Sequence, residues 1–413
     1  MLDLLPIPVR SPDVRCAGKG MLSLALMDAR NRTLRWLSAY DQWLEPMHFV
    51  VPPLAELTPP LWLFGHVAWY QERWIPRNVH RDRGELADAS APRLASIEPD
   101  SDRWYDPANA PPDSRWLLDL PDVASTKRYL ADTIEITLEL LELTGDSDAS
   151  LYFFRLALLH EDLQCESLAR MAQTLGLPSG QHLLAPVQPT PWRQPLRFAA
   201  AEWFLGEPVE PGAAGFTYDN EKRGHLVPMA SFEIDAQPVS WGQYAEFVED
   251  GGYDEPSCWS PAGWAWKEHE RRRAPRHVDK IRHGVLQRHF GRSHTVPLTQ
   301  AVEHVCWHEA QAWCRWAGRR LPTEMEWELA ACTGAARGFR WGEVWEWTQS
   351  AFEPYPGFVA GPDKAYSQSG FGTHKVLRGA SRATHERLRH PSFRNFQLPE
   401  RDDGFCGFRS CAL

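Results

Sequence analysis

Prolines at 178, 186, 189, 191 and 195 split the chain into two stretches of different periodicity, and no other feature constrains the fold as much. Before the split, residues 20–44, 61–74, 125–144 and 151–175 carry apolar positions at helical spacing. Pro46 follows the first segment, Pro59 and Pro60 open the second, and Gly176 and Pro178 close the fourth. These are start and stop signals for helices. Residues 76–122 are rich in Pro and Asp and read as a long surface loop, the kind that serves function or stays disordered. Four long helices with one long crossover predict a four-helix bundle over 1–177. After a linker over 178–197, residues 198–413 show short apolar runs, many Gly and Trp, and few helical patterns. The exceptions are short helices after Ser240, an N-cap with Gln243 three residues on, and over 308–316. The fold class expected is an α domain followed by a loop-rich α+β domain. Two domains agree with a length of 413 residues at roughly 100–200 residues per domain.

Composition excludes several classes of function. The formal charge is −10, with 44 Lys+Arg against 54 Asp+Glu, which argues against nucleic acid or an anionic membrane as partner. No uninterrupted apolar run is long enough to span a bilayer. The start, Met1-Leu2-Asp3-Leu4-Leu5-Pro6, lacks the basic and long apolar regions of a signal peptide. The eight cysteines form no Cys-x-x-Cys pair, so the chain reads as cytoplasmic with reduced thiols. Twenty tryptophans imply many half-buried aromatic edges.

Two constellations could carry chemistry. His66, in Leu63-Phe64-Gly65-His66, and His160, in Leu158-Leu159-His160-Glu161, each lie in an apolar helical segment. Imidazoles on facing helices can converge on one metal ion. Either alone reads more simply as a buried, hydrogen-bonded core residue. The position one turn after His160 is Gln164, whose amide oxygen is a neutral, weak donor. Glu166 is rotated about 240° from His160 at roughly 100° per residue, a poor co-ligand position. The second constellation is Leu321-Pro322-Thr323-Glu324 to Glu328, Trp341 to Thr348, Leu377-Arg378-Gly379-Ala380-Ser381 and Gly407-Phe408-Arg409. By chemistry alone these residues are scaffold: tight turns, buried ion pairs and packed tryptophans.

The run 321–412 resembles the C-type-lectin-like fold of the formylglycine-generating enzyme and sulfoxide synthase superfamily. The N-terminal half, with Gly65-His66 and His160-Glu161, resembles the DinB-like domain of ergothioneine-type sulfoxide synthases. The resemblance covers nearly the whole chain. It implies a nonheme iron(II), dioxygen-dependent enzyme that joins a chalcogen to imidazole C2 of hercynine. Residues 152–162 and 232–239 look most like the selenoneine synthase branch, which implies a selenosugar donor. The alternative is a cysteine-containing thiol donor, as in ergothioneine biosynthesis. The interval 382–405 contains no Cys, unlike the copper site of formylglycine-generating enzymes, which argues against peptidyl-cysteine oxidation.

The family's iron ligands are a His on the earlier helix and two in a His-x-x-x-His-x-Glu motif. His66, His160 and Glu166 match, and Gln164 stands in place of the middle His. The implied metal site is therefore His66, His160 and Gln164. It works with an amide ligand, binds iron weakly, or recruits another His; a homologue that binds hercynine without catalysis is a further alternative. Asn395 and Gln397 match substrate-facing positions, with Phe396 and Trp345 as aromatic faces for the trimethylammonium group. Tyr105 and Tyr366 are candidate proton donors, and Arg115 a candidate contact for the donor substrate.

Overall fold

The computed structural model describes residues 14–187, 191–208, 215–282 and 284–413. The N-terminal run Met1 to Pro6 and Pro189, used above, lie outside the described residues. Helices α1 (Lys19–Leu44), α2 (Pro60–Trp74), α3 (Ser101–Tyr105), α4 (Val123–Leu143) and α5 (Asp148–Leu175) make up the first half. Both α1 and α2 pack against α4 and α5. Their starts and stops are written in side chains. Asp122 and Ser147 accept backbone N–H groups at the N-termini of α4 and α5, and Gly176 ends α5 at φ 74°. Gly176 also faces Gly291 so closely that a Cβ on Gly291 would lie 2.6 Å from the Gly176 carbonyl oxygen. Glycine at both positions lets the two halves touch backbone to backbone.

The segment between α2 and α4 is more ordered than the surface loop expected from its Pro and Asp content. Gly84 is buried, Tyr105 and Ala110 are almost fully buried, and the turn Arg81–Leu86 packs on α5. Arg77 holds this strap by a bidentate ion pair to Asp102 at 2.9 and 2.7 Å. Trp69 adds its indole N–H to the same carboxylate. Apolar anchors and the half-buried Arg77–Asp102 pair offset the ordering entropy that the composition alone leaves uncompensated.

The second half holds helices α6 (Trp241–Glu249), α7 (Pro261–His269), α8 (Trp307–Trp316), α9 (Glu324–Thr333) and α10 (Lys364–Gln368) among small sheets. Strands β1 (Leu196–Phe198), β4 (Phe232–Ile234), β13 (Cys411–Ala412) and β8 (Arg319–Arg320) form one sheet. β2 (Ala201–Leu205) pairs with β3 (His225–Met229), and β5 (Val278–Ile281), β6 (Val285–His289) and β7 (Arg292–Val296) form an antiparallel meander. The sheet that matters most for the site runs β11 (Asn395–Gln397), β10 (Lys375–Gly379), β9 (Trp345–Ala351), β12 (Cys406–Gly407). The capping box expected at Ser240 and Gln243 opens α6.

The conspicuous C-terminal motifs are scaffold. Arg378 pairs with Glu324 and Glu328, each at 3.0 Å, and Arg394 pairs with Glu324 at 2.9 Å. Arg409 and Glu346 form a fully buried pair, with Trp327 donating to the same carboxylate at 2.8 Å. Each charge is desolvated and each is answered, the condition for tolerating buried ions. Among the described residues there is no disulfide. Among the described residues no helix is long and apolar enough to cross a membrane.

One apolar core runs through both halves. Polar contacts add to it. Arg387 grips Asp162 of α5 at 2.8 and 2.9 Å, Arg170 of α5 pairs with Asp403, and Tyr70 of α2 donates to Asp363 at 2.7 Å.

Candidate active site

The site begins on α2, where helical spacing sets Trp62, His66, Trp69 and Tyr70 on neighbouring positions of one face. The His66 ring stacks on Trp62 at 4.8 Å and on Trp69 at 5.4 Å. Its Nδ1 lies 2.9 Å from the backbone carbonyl of Tyr105, at the end of α3. A carbonyl only accepts, so Nδ1 carries the proton and Nε2 keeps its lone pair. Burial pushes the imidazole down to about 4, so it is neutral at physiological pH. A neutral imidazole whose other nitrogen donates to a carbonyl is in the form that binds metals.

His160 of α5 meets this ring from the facing helix, with centroids 5.3 Å apart at 65°. It stacks on Tyr70 at 3.5 Å and 8°. Burial and the neighbouring His66 hold its pKa well below the usual histidine range. Gln164, one turn on, places its amide nitrogen 3.1 Å from His160 Nε2, so the amide N–H donates to that lone pair. The structure thus brings together the three predicted ligand positions, His66, His160 and Gln164. Imidazole pairs suit iron, copper, nickel or zinc. These residues fit a divalent metal with two strong nitrogen donors, plus a weak oxygen donor once the amide turns. Among the described residues no group of three His, Cys, Asp or Glu side chains is arranged to hold a metal.

Glu166 points elsewhere, as its rotation on the helix predicts. Its carboxylate accepts from Trp345 Nε1 at 2.5 Å, Ser381 Oγ at 2.9 Å and Thr384 Oγ1 at 2.8 Å. It fastens α5 to the second half. Burial raises its carboxyl above the usual range against the pull of these three donors.

Beside this clasp lies a cavity of about 150 Å³ between α5 and the β11-β10-β9-β12 sheet. Leu163, Ser167 and Arg170 line one wall, and the predicted substrate residues Trp345, Asn395, Phe396 and Gln397 line the other. Asn395 and Gln397 are two apart on β11 and so share a face. Their side-chain oxygens accept from the backbone N–H groups of Phe396 and Leu398, at 2.8 and 3.0 Å. That leaves the two NH2 groups as the donors available to a ligand. The Trp345 N–H is committed to Glu166, so Trp345 offers its ring. Phe396 stacks on Phe352 at 4.1 Å.

The predicted tyrosines take other places. Tyr105 is in contact with His66 through its carbonyl, while its phenol ring lies over Gly65. Tyr366 stacks on Tyr218 at 4.7 Å in an aromatic wall that reaches Phe396 at 5.9 Å. The tyrosine ring that contacts both histidines is Tyr70. Sequence reasoning missed it, although its place four residues after His66 on α2 was the available signal. Arg115 lies 3.7 Å over the Trp62 ring and donates its Nε to the Ala110 carbonyl. Burial pushes its guanidinium down to about 10, and among the described residues no carboxylate offsets it.

Gly65 is the hinge of this arrangement. A Cβ there would sit 2.1 Å from the Tyr105 ring. Gly→Ala inside a helix ordinarily stabilises by up to ~1 kcal/mol. At this position the sign inverts: Gly65→Ala is expected to cost about 1–3 kcal/mol through overpacking. It also shifts the carbonyl that orients His66. Urea unfolding of the variant checks the sign.

The DinB superfamily profile matches residues 25–175, and that of the sulfatase-modifying factor enzyme 1-like domain matches 205–343 and 339–412. A hercynine oxygenase of Mycolicibacterium smegmatis is 32% identical over 92% of this chain and 96% of its own length. One from Mycobacterium tuberculosis is 30% identical over 94% and 97%. A formylglycine-generating enzyme of Streptomyces coelicolor is 26% identical over 54% of this chain and 90% of its own.

Proposed function

The chain belongs to the hercynine oxygenase family, and on that premise we propose that it joins a chalcogen to imidazole C2 of hercynine, using iron(II) and dioxygen. It is an enzyme, an oxygen-dependent oxidoreductase of the iron type. The observation that carries the reading is the facing pair of neutral imidazoles, His66 of α2 and His160 of α5, with Gln164 beside them; the cavity lined by Trp345, Asn395 and Gln397 lies against another face of α5. We divide the chain at 1–177, a DinB-like four-helix bundle, and 198–413, a C-type-lectin-like roof, joined by 178–197.

His66, His160 and Gln164 are the residues to hold iron, and iron(II) with open positions supplies dioxygen activation. The rest is the work of this chain. The Tyr105 carbonyl fixes the His66 tautomer and the Tyr70 ring packs on His160; the Gln164 amide, whose N–H caps His160 Nε2, would have to turn its oxygen inward when iron is held. The NH2 groups of Asn395 and Gln397 would donate to the hercynine carboxylate, a role supported by their oxygens being taken up by backbone N–H groups. The ring of Trp345 suits its trimethylammonium group, a cation recognised by ring quadrupoles; Phe396, between Asn395 and Gln397 on β11, turns to the other face and stacks on Phe352. Tyr70 is the phenol nearest the imidazoles, and its proton is directed to Asp363. Tyr105 and Tyr366 remain the alternatives for proton donation, each kept protonated because burial raises its pKa above the ordinary value.

For the donor we propose a selenosugar, supported by the resemblance of residues 152–162 and 232–239. One observation favours a second reading, a cysteine-containing thiol. Arg115, packed on the same tryptophan as His66 and lacking a carboxylate, is suited to a donor that carries one. Mass spectrometry of hercynine incubated with the protein, iron(II), oxygen and either donor tests both. A selenium adduct from the selenosugar alone supports the first, and a sulfoxide from the thiol alone supports the second. Oxygen consumption indifferent to hercynine would overturn the reaction itself.

A further inference from the structure

Away from the imidazole pair, the linker and the second half border two adjoining, half-open cavities of about 410 and 350 Å³. They share Ala185, Gln300, Glu303 and Arg382. Phe405 lies between them and the substrate cavity: it lines the latter and carries the Arg382 guanidinium 5.2 Å from its ring centroid.

Arg193, Arg340, Arg382 and Arg389 line the larger cavity against two carboxylates, Glu303 and Glu343. In a chain of formal charge −10 this is a local excess of positive charge. Arg382 is nine-tenths buried. Its Nε is 3.3 Å from Glu303 Oε2, an ion pair without an aligned hydrogen bond, and its Nη2 has no acceptor. The Nε atoms of Arg193 and Arg389 are buried and also lack acceptors. In the smaller cavity Gln287 and His289 leave both their side-chain polar positions unpartnered. Burial pushes His289 down to about 3, so it adds no charge. Buried polar atoms are nearly always hydrogen-bonded, so this concentration of orphans marks a place for ligand atoms. Water would satisfy the N–H groups but would not balance the excess of guanidinium charge.

We propose that this cavity binds a small dianion, a phosphate monoester or a dicarboxylate, gripped by Arg382, Arg389 and Arg193. Four guanidinium groups against two carboxylates leave two positive charges, which such a ligand neutralises. The planar guanidinium fork matches carboxylate and phosphate oxygens. Binding here also bears on α5. Arg382 and Arg389 lie on the segment whose Ser381 and Thr384 hold Glu166 and whose Arg387 holds Asp162. A bound dianion fixes that segment from behind.

Isothermal titration of the full chain with inorganic phosphate, succinate and glucose tests the proposal. Saturable binding of phosphate or succinate, weakened by salt and absent for glucose, is expected. The tighter of the two anions identifies the source. Arg382→Gln leaves Glu303 without its partner and risks the fold, so Arg389→Gln and Arg193→Gln are the deciding variants. Each is expected to weaken binding about tenfold, the effect of losing one charge-assisted contact. No saturable binding of either anion, or unchanged affinity in both deciding variants, would overturn the site. The outcome does not depend on iron or hercynine, so it stands apart from the proposed reaction.

Discussion

Gln164→His is expected to raise iron(II) affinity by on the order of tenfold to a hundredfold, the scale on which even outer partners of metal ligands act. The residue sits one helical turn after His160, and its amide already reaches to 3.1 Å of His160 Nε2. An imidazole there would replace a neutral amide oxygen with a stronger nitrogen donor on the same helix face. His66 and His160 are neutral by burial, so the added donor meets two lone pairs ready to share a metal. Titration of metal-free protein with iron(II) under anaerobic conditions, by calorimetry or chelator competition, reads the change. His66→Ala in the same background should cancel the gain. Equal affinity in the parent and the Gln164→His protein would show that position 164 is not a ligand position. It would also show that the metal, if held, is held by the two histidines alone.

What the residues foretold about this centre follows a physical division. His66, His160 and the misdirected Glu166 were legible because they ride on long helices, and a 3.6-residue period converts spacing into direction. The breaks at Pro59, Gly176 and the linker prolines located those helices. The role of Tyr105 was not legible, because its backbone carbonyl, and not its side chain, touches His66. No side-chain pattern encodes a carbonyl's aim across 39 positions of chain. The segment 76–122 is mostly surface, as its Pro and Asp content suggests, but its anchoring was not legible, because the partners of Gly84 and Tyr105 are the distant α5 and Gly65. Asn395 and Gln397 entered through resemblance alone; what brings them to α5 is the pairing of β11 with β10, a long-range register.

Glu166→Ala is expected to cost about 2–4 kcal/mol of stability while leaving iron(II) affinity within about twofold. The carboxylate answers three donors from the second half, and deleting it strands the Trp345 N–H and forces two hydroxyls to find other acceptors. A stranded buried donor costs ~1–3 kcal/mol, and hydrogen bonds to a charged group carry ~1.5–3 kcal/mol each, though they do not add in full. Glu166→Gln keeps one acceptor oxygen, and the hydroxyls of Ser381 and Thr384 can rotate to accept from its NH2. Its loss should therefore be smaller, about 1 kcal/mol. Urea unfolding gives the stabilities, and metal titration gives the second number. A drop in iron affinity of tenfold or more in both variants would make Glu166 part of the metal site after all. Unchanged stability in Glu166→Ala would mean the contacts with Trp345, Ser381 and Thr384 fasten nothing. The expected pair of results separates two jobs on one helix. The face of α5 bearing His160 and Gln164 presents donors to a metal. The face bearing Glu166, with Asp162 and Arg170, holds the second half of the chain.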